Sequence, residues 1–399
     1  MRCPAHRPLL LLTFLATLAA CDGLLTGPAP DNSLLDGPIE GLTAEQTTQF
    51  LRGDARFNDE IFTSATGLGP LFVSNSCGSC HAGDGKGHPA TMLTRFGQAD
   101  STGNLFAGGL GPQLQHRALP GFQPEALPAG AVHSRFMPPA NTGLGLLDAV
   151  PDAALLALAD PADRDGDGIS GRPNWIAVPG YATLRPGAQV RAGHYIGRFG
   201  KKAATYDLLQ QTATAYNQDM GLTSSYEDRD TYTHQVLDPE VSNQTVQEVV
   251  AYLKTLKAPL PRETGQAEVL AGERLFVQVG CAKCHVPELQ TGNSPIAALA
   301  HRPVRAYTDL LLHDMGPGLN DGYTEGTAQP AEWRTPPLWG LGLSPNSQGG
   351  SYFLLHDGRA RSPEAAIGLH GGEGSGSRDQ YQRLSAEQQR QLLRFLQSL

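Results

Sequence analysis

With 399 residues, 40% of them hydrophobic and 17% charged, the chain has the composition of a globular protein long enough for two domains. Its formal net charge is −9 and no long basic run occurs, which argues against a nucleic-acid partner and suits a basic protein partner better. Gly (47) and Pro (30) are both abundant, so much of the backbone is expected in loops and turns.

The first element reads as an export signal. Arg2 and Arg7 give a short positive region, and Pro8 to Ala20 is almost wholly apolar yet too short to span a bilayer. Residues 1–20 are therefore expected to be removed as a signal peptide. Leu18-Ala19-Ala20-Cys21 looks like a bacterial lipobox, which makes Cys21 the expected site of lipidation and residues 21–45 a lipidated N-terminal linker. Ordinary cleavage that leaves Cys21 spare is the plain alternative. An acyl anchor would hold the protein on a membrane surface in the bacterial periplasm or cell envelope. No later stretch is apolar enough for a transmembrane helix.

Four of the six cysteines fall in two matching stretches, "LFVSNSCGSCH" (Leu71 to His81) and "LFVQVGCAKCH" (Leu275 to His285). An exported chain could keep a disulfide within each pair. A shared zinc site would need halves some two hundred residues apart, far from zinc-ribbon spacing. The third reading uses the histidine. In C-x-x-C-H both thiols can form thioethers to haem vinyl groups while the adjacent His binds iron from below. Two such motifs with one lead-in favour two covalent c-type haems, on Cys77 and Cys80 and on Cys281 and Cys284. His81 and His285 are then the proximal iron ligands.

The repeat extends beyond the motif. Val246, Val249, Val250, Leu253 and Leu256 form a helical stripe closed by Pro259; Leu392, Phe395, Leu396 and Leu399 form a second, with Ser385 and Gln388 as a capping box. Each unit is expected to begin with an apolar helix running into C-x-x-C-H and to end with one of these stripes. The predicted fold is mainly α: two tandem cytochrome c-like haem domains with long Pro/Gly-rich loops. Domain 1 is expected over 46–258 and domain 2 over 259–399, the first carrying an insertion of roughly sixty residues.

The stretches "GLGLLDAV", "ALADPADRDGDGISGRPN", "GRFGKKA", "YTDLLLHDMG", "EWRTPPLWGLG" and "LLHDGRARSPEAAIGLHGGEG" occur in that order. Together they resemble the dihaem oxidoreductase family of putative peroxidases, also labelled thiol oxidoreductases and related to bacterial dihaem cytochrome c peroxidases. The resemblance runs from about residue 40 to the end. It implies an oxidoreductase that takes electrons from a redox protein or small donor at haem 2 and reduces peroxide at haem 1. It also implies a sixth ligand for haem 2 fourteen residues beyond the His of "HDG": from His356 that is His370. Ser362 as helix cap, Pro363 in the first turn and Gly371-Gly372 at the exit suit that placement. Met315 competes for the role, and a mere hydrogen bond from His370 to a loop carbonyl is the plain alternative.

Haem 1 has His88, His116, His133, Met137 and His194 as sixth-ligand candidates. Gln113, Gln115, His116 and Glu125 form a polar stretch suited to peroxide chemistry, or simply a surface loop. The family pattern has Trp where this chain has Lys201. Of Trp175, Trp333 and Trp339, the last is the better candidate for an electron relay. Asp163, Asp165 and Asp167 alternate before Gly168 like the start of a calcium loop, although Asn174 replaces the usual acidic residue at position twelve; a calcium site and a solvated acidic turn both fit. Two further functions stay open: a non-catalytic electron carrier with both irons six-coordinate, and an oxidase of an organic or protein substrate.

Overall fold

The computed structural model describes residues 30, 33–97, 99–100, 103–104 and 113–399. The export signal and Cys21 lie outside the described residues. Ten α-helices follow one another among those residues. They are α1 (Ala44–Asn58), α2 (Leu144–Asp148), α3 (Asp152–Leu158), α4 (Leu208–Met220), α5 (Asn243–Thr255), α6 (Ala267–Gln278), α7 (Ser344–Ser347), α8 (Pro363–Gly368), α9 (Ser375–Arg383) and α10 (Ala386–Ser398).

Both predicted stripes are helices with the expected face buried, on α5 and α10. Ser385 and Gln388 close the capping box that starts α10, and Thr43 with Gln46 does the same for α1. The two long helices of the N-terminal half, α1 and α5, cross at Gly53. A Cβ on Gly53 would lie 2.1 Å from the Glu248 carbonyl oxygen. In the C-terminal half α6 and α10 cross in the same way at Gly272, where a Cβ would lie 2.1 Å from the Gln391 carbonyl oxygen. Four residues after each glycine comes a phenylalanine facing a ring of the partner helix: Phe57 against Tyr252, and Phe276 against Phe395, both at 5.4 Å between centroids.

So close a crossing leaves no room for a methyl group. Gly272→Ala is expected to destabilise the fold by about 1–3 kcal/mol despite alanine's better helix propensity. Gly265→Ala, whose Cβ would meet open space, should be near neutral; chemical denaturation of both variants checks this.

Two expectations need correcting. The shared L-F-V lead-in is not a shared structure. Leu275-Phe276-Val277 lies within α6, but Leu71–Phe72 is a strand paired with Arg117–Ala118, and α1 ends at Asn58, well before Cys77. The counterpart of Phe276 is Phe57. Nor is the fold plainly mainly α. Short antiparallel ladders close between turns: Leu93–Phe96 with His133–Phe136, Leu312–Asp314 with Glu332–Arg334, and His194–Ile196 between Trp175–Ile176 and Val190–Arg191. Segments rich in Gly and Pro cannot hold long helices, and pairing locally satisfies their backbone groups.

Three main apolar clusters build the core. One joins α1, α4 and α5, and another joins α6, α8, α9 and α10. The third draws on both halves: Leu147, Val150 and Leu155 pack with Leu289, Leu299 and Leu311. The halves therefore share a core rather than hanging from a linker. Part of the expected N-terminal linker is built in as well. Ile39 is buried in that shared cluster, and its N–H donates to the Thr255 carbonyl (2.7 Å) at the end of α5.

Candidate functional site

Both C-x-x-C-H stretches open into one cavity of about 390 Å³, whose lining is largely apolar. Each motif folds as a tight turn. The His81 and His285 N–H groups donate to the carbonyls of Cys77 and Cys281, both at 3.0 Å. That turn brings two sulfurs and one imidazole to the same wall. The four cysteines are not disulfide-bonded. Burial pushes the Cys77 and Cys281 thiols up to about 12, which suppresses the thiolate that redox-exchange or nucleophilic chemistry needs.

The two histidines are held alike. His81 Nδ1 donates to the Pro139 carbonyl and His285 Nδ1 to the Tyr307 carbonyl, each at 3.0 Å. A carbonyl can only accept, so Nδ1 carries the proton and Nε2 keeps its lone pair on the cavity side. Burial pushes both imidazoles down to about 4, so they are neutral at pH 7. Phe57 and Phe276 pack against them at 5.9 and 6.4 Å. The donor set is right for haem: two thiols, a pre-oriented neutral imidazole and an apolar void, given twice.

His370 lines the same cavity. Ser362 caps α8 and Pro363 opens it, while the helix already ends at Gly368, before the glycine pair. His370 Nδ1 donates to the Ala366 carbonyl at 2.7 Å. The plain carbonyl contact is thus present, but it is made by Nδ1 and leaves Nε2 free. His370 also helps to depress the His285 pKa, which puts the two rings near one another. Met315 lines the cavity beside it.

For the first motif, Met137 lines the cavity and is fully buried. His88, His116, His133 and His194 do not reach the lining and are exposed. Gln113, Gln115, His116 and Glu125 also stay outside it. Gln115 donates to the Gln218 carbonyl at 3.0 Å, and Glu125 accepts the Gln115 N–H at 2.6 Å; these contacts tie the loop to α4. Gln113 is different, because its amide donates to Asp219, and Asp219 does line the cavity beside Cys77 and Cys80. Burial pushes the Asp219 carboxyl up to about 6 against the pull of Gln113 and Arg95. Sequence reading missed Asp219. Its signal was a carboxylate one residue before Met220 at the end of an amphipathic helix, a position that looks like a solvated helix terminus.

Beside the second motif lies a buried polar chain. Glu373 accepts from Ser170 Oγ (2.5 Å) and His313 Nδ1 (2.6 Å), while His313 Nε2 donates to Asp309 (2.8 Å). Burial opposes the charge on His313, but its bonds to Asp309, Cys284 and Glu373 outweigh burial and hold it up at about 12. It is a cation at neutral pH.

Asp163, Asp165 and Asp167 present carboxylate oxygens within 4.8 Å of one another, all exposed. Asp167 also pairs with Lys283 inside the second motif at 2.9 Å. A recess beside them is lined by Asp163, Ser170, Asp314 and Glu373, so carboxylates of both halves converge there. Asn174 turns away, donating to the Lys202 (2.7 Å) and Glu325 (2.8 Å) carbonyls.

Trp333 and Trp339 both line the cavity, whereas Trp175 does not. Trp333 stacks on His356 at 3.7 Å, with Lys202 Nζ 3.9 Å from its ring centre. A cation on the ring disfavours losing an electron from it, which leaves Trp339 the easier of the two to oxidise.

A family model described as di-haem oxidoreductase, putative peroxidase, matches residues 134–399, about two thirds of the chain. No curated protein matches. Among solved structures, hydrazine synthase of Kuenenia stuttgartiensis, pressurised with xenon, is similar at a TM-score of 0.40 and 14% identity, over 99% of this chain and 100% of that one. That likeness is too slight to bear on fold or activity.

Proposed function

The chain belongs to the family described as di-haem oxidoreductase, putative peroxidase, and we propose that it is an exported dihaem c-type oxidoreductase whose haem at Cys281 and Cys284 feeds electrons to peroxide at the haem of Cys77 and Cys80. The observation that carries this reading is the pair of matched motifs opening into one cavity, each histidine pinned through Nδ1. The matched helix crossings support reading 46–258 and 259–399 as two haem domains, which share a core. Haem iron, when bound, supplies one-electron chemistry and a coordination position for peroxide.

The chain's own groups supply the rest. His81 and His285 offer oriented, neutral Nε2 atoms. Asp219 is the group placed to move protons at the first motif, since a carboxylate held near 6 can both accept and give one around neutral pH. Reducing peroxide to two waters consumes two electrons and two protons; the electrons would come from a redox protein or small donor outside the chain.

His370 is proposed as the second ligand at the second motif. His370→Ala is then expected to convert that haem from low spin to high spin in EPR. An unchanged low-spin spectrum would return the role to Met315.

The acidic loop is proposed to hold calcium, because three close carboxylates repel one another without a hard cation. Equilibrium dialysis should find one calcium per chain in the wild type and weaker binding in Asp165→Asn. No binding at millimolar calcium would dispose of the site. Anchoring at the cell envelope through a lipidated Cys21 belongs to the same proposal.

One observation favours a second reading. Met137 is a buried thioether on the cavity wall, and a firm Met137 ligand with His370 would leave both irons six-coordinate. The protein would then be an electron carrier.

A further inference from the structure

The charges that line the cavity do not balance. Among its cations, Arg198 is answered by Asp152 and Arg378 by Asp379 (2.7 Å). Of its carboxylates, Glu373 is engaged by His313 and Asp219 by Gln113. Lys86, Lys201 and Arg334 remain, with no carboxylate in ion-pair contact among the described residues. Neither lysine has any hydrogen-bond partner for its ammonium among those residues.

The neighbouring lysine shows what a satisfied one looks like. Lys202 Nζ donates to the carbonyls of Gln329 (3.2 Å), Pro330 (3.1 Å) and Glu332 (3.0 Å), and lies 3.5 Å from Asp321. Lys201 instead turns to the cavity. The three cations are gathered by the fold. The Arg334 N–H donates to the Lys201 carbonyl (3.0 Å) and its Nε to the Gly200 carbonyl (2.9 Å), and Lys86 lies five residues beyond His81. Gly87, next to Lys86, packs on the first motif, where a Cβ on it would lie 2.8 Å from the Cys80 carbonyl oxygen. Lys86 and Arg334 both repel the charge on Lys201, which Asp357 attracts from outside ion-pair distance. Lys86, Lys201 and Arg334 are half-buried on the wall of a largely apolar cavity. Cations partly withdrawn from water in this way are stabilised by an anion that meets them.

We propose that Lys86, Lys201 and Arg334 are the counter-charges for the propionate carboxylates of the haem carried by Cys77 and Cys80. The inference rests on a haem being attached at that motif. It assigns this chain's lysine at 201 a part that an aromatic residue could not play: pairing with carboxylate and favouring the reduced iron.

The test is a spectroscopic redox titration of holoprotein, after haem content per chain has been measured. Lys86→Met/Lys201→Met is expected to keep both haems and to lower the potential of one of them, because uncompensated carboxylates favour the ferric state. The other potential should stay in place. Lys201→Arg, which keeps the charge, should leave the wild-type value nearly unchanged and guards against a folding defect in the double variant. Two attached haems with both potentials unchanged would overturn the proposal. A change of spin state in Lys201→Met would overturn it too, by making Lys201 an iron ligand. A wild-type chain with no haem at Cys77 and Cys80 would instead remove the haem reading on which it stands.

Discussion

Cys281→Ser/Cys284→Ser is expected to carry one haem per chain where the wild type carries two. Each thioether needs one cysteine sulfur, and replacing both by serine leaves no group that can bond to a vinyl. The thiols form no disulfide, burial keeps Cys281 protonated, and Cys284 Sγ makes one contact with His313 Nδ1 at 3.6 Å. The cavity would lose its filling on one side, beside Phe276, Leu341 and Leu396, so a drop in thermal stability should accompany the loss. Intact-protein mass together with pyridine haemochrome absorbance reads the count directly. Cys77→Ser/Cys80→Ser should give the complementary single-haem protein. Retention of two covalent haems in either variant would break the assignment of one haem to each motif.

Asp219→Asn should slow the reaction with peroxide by about 10²–10⁴-fold, the range a positioned acid–base group contributes. Asparagine keeps the shape and the contact with Gln113 but cannot take a proton. The pH dependence has a definite sign. Burial raises the Asp219 pKa to about 6, so the ionised, proton-accepting form grows as pH rises through that value. The wild-type rate should climb across pH 6 and the step should vanish in Asp219→Asn. Gln113→Ala should act in the same direction but less, since it removes only a hydrogen bond to the carboxylate. Equal rates in wild type and Asp219→Asn would exclude Asp219 from proton transfer.

Local patterns told most of what the sequence could tell. C-x-x-C-H specifies its own turn, and the stripes on α5 and α10 repeat every 3.6 residues because one face is buried. His370 is implied by the family resemblance, fourteen residues beyond His356, and it lines the cavity. What failed depended on distant partners. Leu71-Phe72-Val73 matches Leu275-Phe276-Val277 letter for letter, yet one begins in a strand and the other lies in a helix, because the strand pairs with Arg117–Ala118, some forty-five residues on. The polar run from Gln113 to Glu125 suited peroxide chemistry by composition. Packing against α4 turned it into support for the loop, and only Gln113 touches a cavity group. Lys86 and Lys201 look like surface lysines until the fold puts both on the cavity wall with no carboxylate in ion-pair contact among the described residues.

The central claim is that one iron of a dihaem chain is open to peroxide while the other feeds it. Optical and EPR spectra of purified holoprotein, oxidised and half-reduced, before and after peroxide, test this most directly. A high-spin or newly five-coordinate haem that reacts with peroxide, beside a low-spin partner lost in His370→Ala, is the result the account predicts. Two low-spin haems inert to peroxide in both states would contradict it and leave an electron carrier.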